Sequence, residues 1–424
     1  MTRNRCGLVC MAWACLVVPM TSSAEGFQVT PQATLSIRGD AWSGSRQRDD
    51  VTGIAQASAW ANGKLRIEDY GLLTFDGWAR GQTKQQDGPH DAISPAARIR
   101  ELYWRQSLGS FDVKLGRLMT AWGRADGINP TDKLSAKDFT LLVPDDTDQR
   151  SGNDGMEVSK DTNVGRFSWL WFAHAVSDII PLTLDRPGVS YRVEAPPKQA
   201  QWGFKWDTNG EGMDGSLSYF EGFDPNPSIR LDQVSITGAT IGLFHQPIRM
   251  LGGDISINRL GAIWRGEIAA TRPMDDADTP YFRSNPQVFA VFGGEFTPVA
   301  RTTLSLQAVA KRVYGFVSPD ALTDPIEREV AWSQAANSGQ TAGFQKGLTL
   351  RYASRWLNDT LALEASGLIL WPSRNGTWRT RLNYSLTDQC SLLLGTDAYF
   401  GRQDTSFGQL KPNRLWYLQI RYSV

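Results

Sequence analysis

Charged side chains recur at alternate positions in several segments of this sequence. Arg265 and Glu267 are spaced in this way, as are Arg379 and Arg381. Residues two positions apart in an extended strand project from the same face, so each pair presents its charges to one side. Fixed charges of both signs on a common face order water and screen ionic solutes. The pattern therefore predicts electrostatic selection of small molecules.

Residues suited to covalent chemistry are scarce. The chain has three histidines, His90, His174 and His245, and none lies at a telling spacing from a catalytic partner. G-x-S-x-G, phosphate-loop and H-E-x-x-H motifs are missing. Beyond residue 24, Cys390 is the single cysteine, which excludes CxxC metal sites there. We predict no enzymatic activity, cofactor or metal; a barrel hydrolase with Ser and His groups distant in sequence is the alternative.

The composition excludes several classes of protein. Lys+Arg and Asp+Glu both number 44, so the formal net charge is +0 and no nucleic acid partner is expected. After residue 24, no apolar run approaches the about 18 residues that a membrane-spanning helix needs. The 40 Gly, 16 Trp, 11 Tyr and 18 Phe suit a protein of many strands and tight turns.

The first 24 residues have the organisation of a secretory signal peptide. Arg3 and Arg5 precede the apolar run 8–20, and Ser22 and Ala24 are the small residues that a signal peptidase requires. We predict cleavage after Ala24. The alternative is a buried N-terminal helix.

Apolar and polar residues alternate along most of the remaining chain. In 28–42 the odd positions are apolar or small and the even positions are mainly polar, and near the C-terminus Leu418 and Ile420 alternate with Gln419 and Arg421. A period of two predicts strands with one apolar and one polar face. We predict about 18 strands, with 16 to 20 as the range. They cover 27–42, 54–68, 70–82, 97–108, 111–122, 154–161, 164–175, 199–208, 213–222, 249–258, 261–272, 286–297, 301–313, 345–355, 360–371, 376–386, 390–400 and 414–424.

The connections alternate between tight turns and long polar segments. The turns 69–70 and 109–110 contrast with 123–153 and 314–345, and we assign 229–245 to a long loop despite its strand propensity. Short turns on one side and long loops on the other are the layout of an outer-membrane barrel. A sheet spans hydrocarbon only when it is closed, because its backbone polar groups must all be paired. We therefore predict an all-β, antiparallel transmembrane barrel over residues 25–424.

The sequence resembles the outer-membrane porins of Gram-negative bacteria. The resemblance rests on the signal peptide, the ten-residue alternating strands and the terminal segment Trp-Tyr-Leu-Gln-Ile-Arg-Tyr-Ser-Val over 416–424, in which Val424 replaces the usual aromatic residue. Leu-Gly-Arg at 115–117, Ala-Trp-Gly-Arg-Ala-Asp-Gly at 121–127, Asn-Pro-Thr-Asp at 129–132 and Arg-Met-Leu-Gly-Gly-Asp at 249–254 are more narrowly similar to a porin-like family distantly related to alginate exporters.

This resemblance implies a channel that is integral to the outer membrane. The partners that it implies are outer-membrane lipid, lipopolysaccharide and the barrel-assembly machinery. It leaves the transported solute, the direction of transport and the choice between monomer and trimer open.

Charges on the polar face from residue 249 onward are predicted to line the lumen. Basic residues outnumber acidic ones among them, which favours acidic or zwitterionic solutes. The alternative is that Arg265, Glu267 and Glu295 pair across strands and only brace the wall. The predicted lumen residues are Asp254, Arg265, Glu267, Glu295, Lys311, Arg351, Arg355, Glu364, Arg379, Arg381, Asp397 and Arg421.

Segment 123–153 is predicted to constrict the pore. A barrel of about 18 strands is too wide for its own side chains to fill, so water, a plug or an inward loop must occupy the middle. This segment carries charges of both signs, which would create a field across the pore. The alternative is an exposed loop that binds a cation at Asp145 and Asp146, and 314–345 is predicted to be an outer lid. The predicted constriction residues are Arg117, Trp122, Arg124, Asp126, Asp132 and Arg150.

Three functions are consistent with these patterns. The first is passive passage of small polar or acidic solutes, or export of an anionic polymer. The second is transport of hydrophobic compounds, for which the 16 Trp residues are the argument. The third is a structural, adhesive or enzymatic barrel.

Overall fold

The computed structural model describes residues 29–44, 51–85, 94–180, 188–235, 238–275 and 280–424. Eighteen of its strands form one antiparallel sheet. The first barrel strand pairs with the last, so that Arg38 lies opposite Arg421 and the sheet is closed. Closure pairs the backbone groups of every barrel strand, as a hydrocarbon environment requires. The predicted signal peptide, 1–24, lies outside the described residues.

The barrel contains all but five of the strands in the described residues. The five others form a two-stranded sheet, β6 and β7, and a three-stranded sheet, β10, β14 and β13. In chain order the strands are β1 (Val29–Gly44), β2 (Gly53–Ile67), β3 (Gly71–Gln85), β4 (Ser94–Leu108), β5 (Phe111–Leu118), β6 (Ala136–Lys137), β7 (Arg150–Ser151), β8 (Asn153–Thr162), β9 (Gly165–Phe172), β10 (Val189–Val193), β11 (Gln201–Gly210), β12 (Met213–Phe223), β13 (Ser228–Ser235), β14 (Gly238–Phe244), β15 (Pro247–Arg259), β16 (Ala262–Pro273), β17 (Gln287–Val299), β18 (Thr302–Val313), β19 (Phe344–Trp356), β20 (Leu361–Trp371), β21 (Asn375–Ser385), β22 (Cys390–Phe400) and β23 (Leu415–Ser423).

Helical structure is confined to the connections. The helix α1 (Pro325–Asn337) follows β18, and three 3₁₀ turns cover Asp146–Gln149, Pro319–Ala321 and Gly408–Asn413. Asp324 caps α1 by accepting hydrogen bonds from the backbone of Ile326 and Glu327. No helix in the described ranges is long and apolar enough to span a bilayer.

Most predicted strands are confirmed, and two end several residues before their predicted limits, of which 164–175 ends at Phe172. The predicted strand 111–122 stops at Leu118, because the chain then leaves the wall and turns into the lumen, where Trp122 is buried. Apolar and polar residues still alternate past Leu118, but their side chains no longer alternate between the lipid face and the lumen. The assignment of 229–245 to a long loop is confirmed, since β14 pairs with β10 and β13 in a separate sheet that is not part of the barrel.

The barrel has an apolar outer face and a polar inner face. On β18 the side chain of Leu306 is 47% exposed while its neighbour Gln307 is 2% exposed, and on β23 Ile420 and Gln419 differ in the same way. Exposed apolar side chains in a closed sheet contact lipid, and the buried polar ones point inward. Register is therefore strongly fixed, because a slip of one residue would exchange the two faces.

We expect an arginine at Leu350 to destabilise the barrel far more than an arginine at Thr349. Both residues lie in the middle of β19, and Leu350 is exposed on the lipid face whereas Thr349 faces inward. A lipid-facing Arg near the bilayer midplane costs about 2–4 kcal/mol, whereas an inward one remains in contact with water. Refolding titrations of Leu350→Arg and Thr349→Arg in lipid vesicles measure the difference, and equal losses would contradict the face assignment.

Candidate channel constriction

The segment 119–152, between β5 and β8, folds into the barrel interior. Trp122 and Leu134 are almost completely buried against Phe172, Phe220 and Met250 of the wall. A second apolar contact joins the later part of the segment to the opposite side, where Leu141 and Val143 pack on Trp60 and Trp78. We call this segment the inner loop. Apolar burial on both sides fixes it across the lumen.

The carboxylate of Glu267 on β16 anchors the first half of the inner loop. Its Oε2 accepts from the backbone N–H groups of Arg124 and Ala125, each at 3.1 Å, and its Oε1 accepts from the N–H and hydroxyl of Thr131, each at 2.8 Å. Gly123 lies against this carboxylate with φ +97°, in a space that a Cβ would fill. Glycine is therefore required there both for the backbone conformation and for the close approach.

Arg124 extends this attachment to neighbouring strands. Its guanidinium forms an ion pair with Asp254 on β15 and approaches Asp207 on β11 at 3.5 Å. The hydroxyl of Ser216 on β12 also donates to Asp254. The first half of the inner loop is thus held by charge-assisted hydrogen bonds to three strands of one part of the wall, β11, β15 and β16.

Two wall arginines hold the second half of the inner loop. Arg100 on β4 donates to the backbone carbonyls of Thr147 at 2.6 Å and Arg150 at 3.0 Å. Arg38 on β1 donates to Asp148 at 2.6 Å. Both guanidiniums also lie over the ring of Trp60, at 4.1 Å for Arg38 and 5.5 Å for Arg100.

A cluster of buried charges joins the inner loop to the adjacent outer loops. Asp132 pairs with Arg150 and, at 2.9 Å, with Lys137. Lys133 pairs with Asp224, beyond β12, at 2.9 Å. Burial alone would raise the pKa of Asp132, but the Arg150 and Lys137 cations outweigh it and lower the pKa below its ordinary value. Asp132 is therefore a fixed negative charge.

Asp178, in the segment after β9, has a different environment. It accepts a hydrogen bond from the backbone N–H of Lys137 at 2.7 Å, and the backbones of Ile179 and Lys137 are also hydrogen-bonded. Burial raises the pKa of Asp178 to about 6, although the Lys137 N–H and ammonium favour the charged form. This carboxyl group is therefore the titratable element of the junction.

Three arginines form an arc on the wall that faces the inner loop. Arg351 on β19 pairs with Glu364 on β20 at 2.9 Å, and Arg381 on β21 approaches the same carboxylate at 3.9 Å. Arg379 on β21 approaches Asp397 on β22 at 3.6 Å. We call Arg351, Arg379 and Arg381 the arginine arc. Their side chains remain 21–39% exposed, so each keeps access to water in the lumen.

The inner loop brings two carboxylates to the arginine arc. Asp126 lies 3.7 Å from Arg351, and Asp146 pairs with Arg379. The wall therefore presents guanidiniums where the loop presents carboxylates. Opposed charges of this kind create a strong local electric field where the inner loop meets the wall.

The other predicted lumen residues occupy different places. Arg265 and Glu295 pair at 3.0 Å between neighbouring strands, as the wall-bracing alternative requires. Lys311 donates to the carbonyl of Gly339, beyond α1, at 3.1 Å and lies 4.6 Å from the ring of Phe289. Arg355 is exposed near the short-turn end of β19, and Arg421 lies opposite Arg38 on the inner face.

The assignment of Arg117 to the constriction is wrong. Arg117 lies in β5, and its register partner on β4 is Leu102, which is exposed on the lipid face. It makes two hydrogen bonds with Asp154 of β8, at 2.8 and 2.9 Å. The alternation along β5 places this side chain on the outside of the barrel. In the sequence, Arg117 lies close to the motif at 121–127, which groups it with the constriction.

Several functional contacts have no signal in the sequence. Arg38 and Arg100 are ordinary polar-face residues by pattern, and Asp178 and Asp224 lie in loops far along the chain from their partners. Alternation identifies Arg38 as inward-facing, but it cannot pair Arg38 with Asp148. These pairings depend on the path of the inner loop through the lumen.

Comparisons with known proteins place the fold. No protein-family model matches the chain, and no curated protein matches it. Among solved structures, Pseudomonas aeruginosa OccK2 (OpdF) in complex with glucuronate has a TM-score of 0.55 and 13% identity, covering 93% of this chain and 98% of that one. P. aeruginosa OpdK with vanillate has a TM-score of 0.53, 12% identity and coverage of 93% and 98%. Acinetobacter baumannii OccAB4 has a TM-score of 0.55, 10% identity and coverage of 94% and 99%.

These similarities and the closed sheet define the class of protein. The chain has the 18-stranded porin fold, the architecture of integral β-barrels in the Gram-negative outer membrane. The predicted likeness to porins is confirmed at the level of the fold. The narrower likeness to alginate exporters stays a prediction.

We expect Glu267→Gln to loosen the inner loop without unfolding the barrel. The amide nitrogen of Gln cannot accept, so two of the four loop donors lose their partner, at about 1–3 kcal/mol for each buried donor. Single-channel recording should show more frequent conductance fluctuations. Glu295→Gln is the control, because Glu295 faces inward on the next strand and pairs with Arg265 of the wall. Identical traces for the two variants would contradict the anchoring role.

We expect the contact between 136–139 and 178–179 to weaken as the pH rises. The pKa of Asp178 is about 6 in the folded protein and 3.8 ordinarily, so the folded state holds this proton more tightly. Its stabilising effect is complete below about pH 4 and is lost by about pH 6 to 7. Hydrogen exchange at the amides of Phe139 and Ile179, corrected for intrinsic rates, measures this effect. Protection should be independent of pH in Asp178→Asn, and an unchanged pH dependence would exclude Asp178 as the cause.

Proposed function

We propose that the protein is a passive outer-membrane channel that favours small organic anions carrying a carboxylate. The observation that carries this proposal is the arginine arc facing two carboxylates of the inner loop. A guanidinium presents a rigid fork of N–H donors that matches a carboxylate. The arginine arc already binds two carboxylates of the protein, those of Glu364 and Asp146. A solute carboxylate offers the same chemical group.

The register supports a continuous path for such a solute. Arg351, Ser366 and Arg379 lie in one row across β19, β20 and β21, and Arg381 is two positions along β21. Adjacent strands are about 4.8 Å apart, so the Cα atoms of Arg351 and Arg379, two strands apart, are separated by roughly 10 Å. An anion can therefore exchange one arginine for the next without full loss of its hydrogen bonds. Several moderate sites, rather than one tight site, favour passage.

The similar structures give this proposal a chemical context. OccK2 is recorded in complex with glucuronate and OpdK with vanillate. Both compounds are small carboxylates. The same class of solute is the one that the arginine arc would recognise in this protein.

The two alternatives from the sequence are less well supported. A hydrophobic compound would lose its apolar contacts at a passage lined by Arg351, Glu364 and Arg379, so the arc disfavours it. An anionic polymer would have to pass the inner loop, which is fixed to opposite sides of the wall by Glu267 and Arg100. Small anions require no movement of that loop.

We expect replacement of Arg351, Arg379 and Arg381 together by Gln to reduce the anion-to-cation permeability ratio several-fold. The remaining carboxylates Glu364, Asp126, Asp146 and Asp397 would leave a negative passage. The reversal potential under a salt gradient in planar bilayers measures the ratio. The shift should shrink at high salt, because the Debye length falls from about 10 Å at 0.1 M to about 3 Å at 1 M.

The control for this measurement replaces a wall pair of zero net charge. Arg265→Gln with Glu295→Gln removes one cation and one anion that neutralise each other at 3.0 Å, so selectivity should stay close to that of the wild type. Flux of a small carboxylate should also exceed flux of its neutral amide in vesicles. Equal flux of the two compounds, or an unchanged ratio in a conducting triple variant, would contradict the proposal.

A further inference from the structure

Four cations lie on the outside of the barrel at the ends of strands β15 to β19. Arg249 is on β15, Arg272 on β16, Arg312 on β18 and Lys346 on β19, each within three residues of the strand end that joins a long connection. Each lies at an even number of positions from an exposed apolar residue of its own strand. Those residues are Leu251, Ile268, Leu306 and Leu348. The four cations therefore face outward, and we call them the rim patch.

The register groups these cations into two pairs. Arg249 and Arg272 are directly opposite each other on β15 and β16. Arg312 is opposite Phe344, and Lys346 is opposite Ala310, so Arg312 and Lys346 are diagonal neighbours on β18 and β19. Like charges in these positions repel and destabilise a sheet. Such an arrangement is stabilised by counter-anions close to the cations.

The described part of the chain supplies few counter-charges to the rim patch. Glu221 on β12 accepts from Arg249 at 2.9 Å. Arg272, Arg312 and Lys346 form no ion pair with another described residue. Two carboxylates of the connection between β18 and β19 have partners within that connection: Asp320 accepts from the Trp332 indole at 3.0 Å, and Asp324 caps α1.

Another outward cation shows how the barrel neutralises such a charge. Arg117 on β5 also lies at the outer end, and Asp154 sits opposite it in register with two hydrogen bonds. Within the rim patch only Arg249 has such a partner, Glu221, which is opposite it in register; Arg272, Arg312 and Lys346 have none among the described residues. The difference points to an anion that the membrane, rather than the protein, provides.

We propose that the rim patch binds the phosphate groups of lipid A, the anchor of lipopolysaccharide in the outer leaflet. Long connections of such barrels face the cell exterior, so these strand ends lie at the level of the outer-leaflet headgroups. A single Arg guanidinium binds phosphate through two parallel hydrogen bonds, and Lys binds it as a point charge. Tyr314 and Phe344 beside Arg312 and Lys346 are half exposed, as aromatic residues at a membrane interface are.

The spacing of the two pairs indicates a headgroup with two phosphates. One strand without a charge on its outward face, β17, separates them, with Val288 lying between Ala270 and Arg312. At about 4.8 Å per strand, β16 and β18 are roughly 10 Å apart. Arg249 and Arg272 would hold one phosphate, and Arg312 and Lys346 the other. A diphosphorylated glycolipid satisfies both pairs at once.

The test measures binding of purified diphosphorylated lipid A to the full barrel in detergent by native mass spectrometry. Arg272→Gln, Arg312→Gln and Lys346→Gln together should weaken binding by about 100-fold, since each cation near an anionic surface contributes a factor of about five. The control is Lys160→Gln with Arg259→Gln, which removes exposed outward cations at the opposite end of the barrel. Binding by this control should stay within about twofold of the wild type. Unchanged conductance shows that both variants are folded.

Three further probes separate lipid A from other anions. Dephosphorylated lipid A should bind the wild-type barrel no better than diphosphorylated lipid A binds the triple variant. Inorganic phosphate should fail to displace lipid A at equal concentration, and phosphatidylglycerol, with one phosphate, should bind more weakly. The proposal is overturned if dephosphorylated lipid A binds equally, if free phosphate displaces the lipid, or if the control double variant loses as much affinity as the triple variant.

Discussion

Pairing of every backbone polar group inside hydrocarbon is the constraint on which the rest of this structure depends. A spanning sheet satisfies it only by closing, and here β1 closes on β23. Eighteen strands then enclose a space that wall side chains cannot fill. The inner loop occupies part of that space, so the constriction follows from closing a barrel of this many strands.

The inner loop is held by groups that the barrel keeps away from lipid. Glu267 satisfies four donors of the first half, and Arg100 and Arg38 satisfy acceptors of the second half. Buried polar groups are expensive unless they are fully hydrogen-bonded. Each anchor therefore fixes both its own side chain and the loop. A rigid loop in turn fixes the positions of Asp126 and Asp146 opposite the arginine arc.

Charged side chains have different roles in different parts of the barrel. Arg265 and Glu295 stabilise the wall, Asp132 and Lys133 join loops, and the arginine arc remains open to water with loop carboxylates opposite it. A count of inward charges cannot separate these roles, because it gives a wall pair the same weight as an exposed guanidinium. The outward cations add a further role at the membrane surface.

The sequence by itself determines the closed barrel, most strand limits and the facing of most wall residues, because a period of two and the hydrocarbon constraint are both local. It also predicts that segment 123–153 enters the lumen and that the side chain of Glu267 faces inward. Only the tertiary structure decides which partner each charge finds. Glu267 and Thr131, or Asp146 and Arg379, are far apart in the chain and meet only because the loop crosses the lumen. The same limit explains Arg117, whose neighbouring motif belongs to the loop while its strand register places it outside.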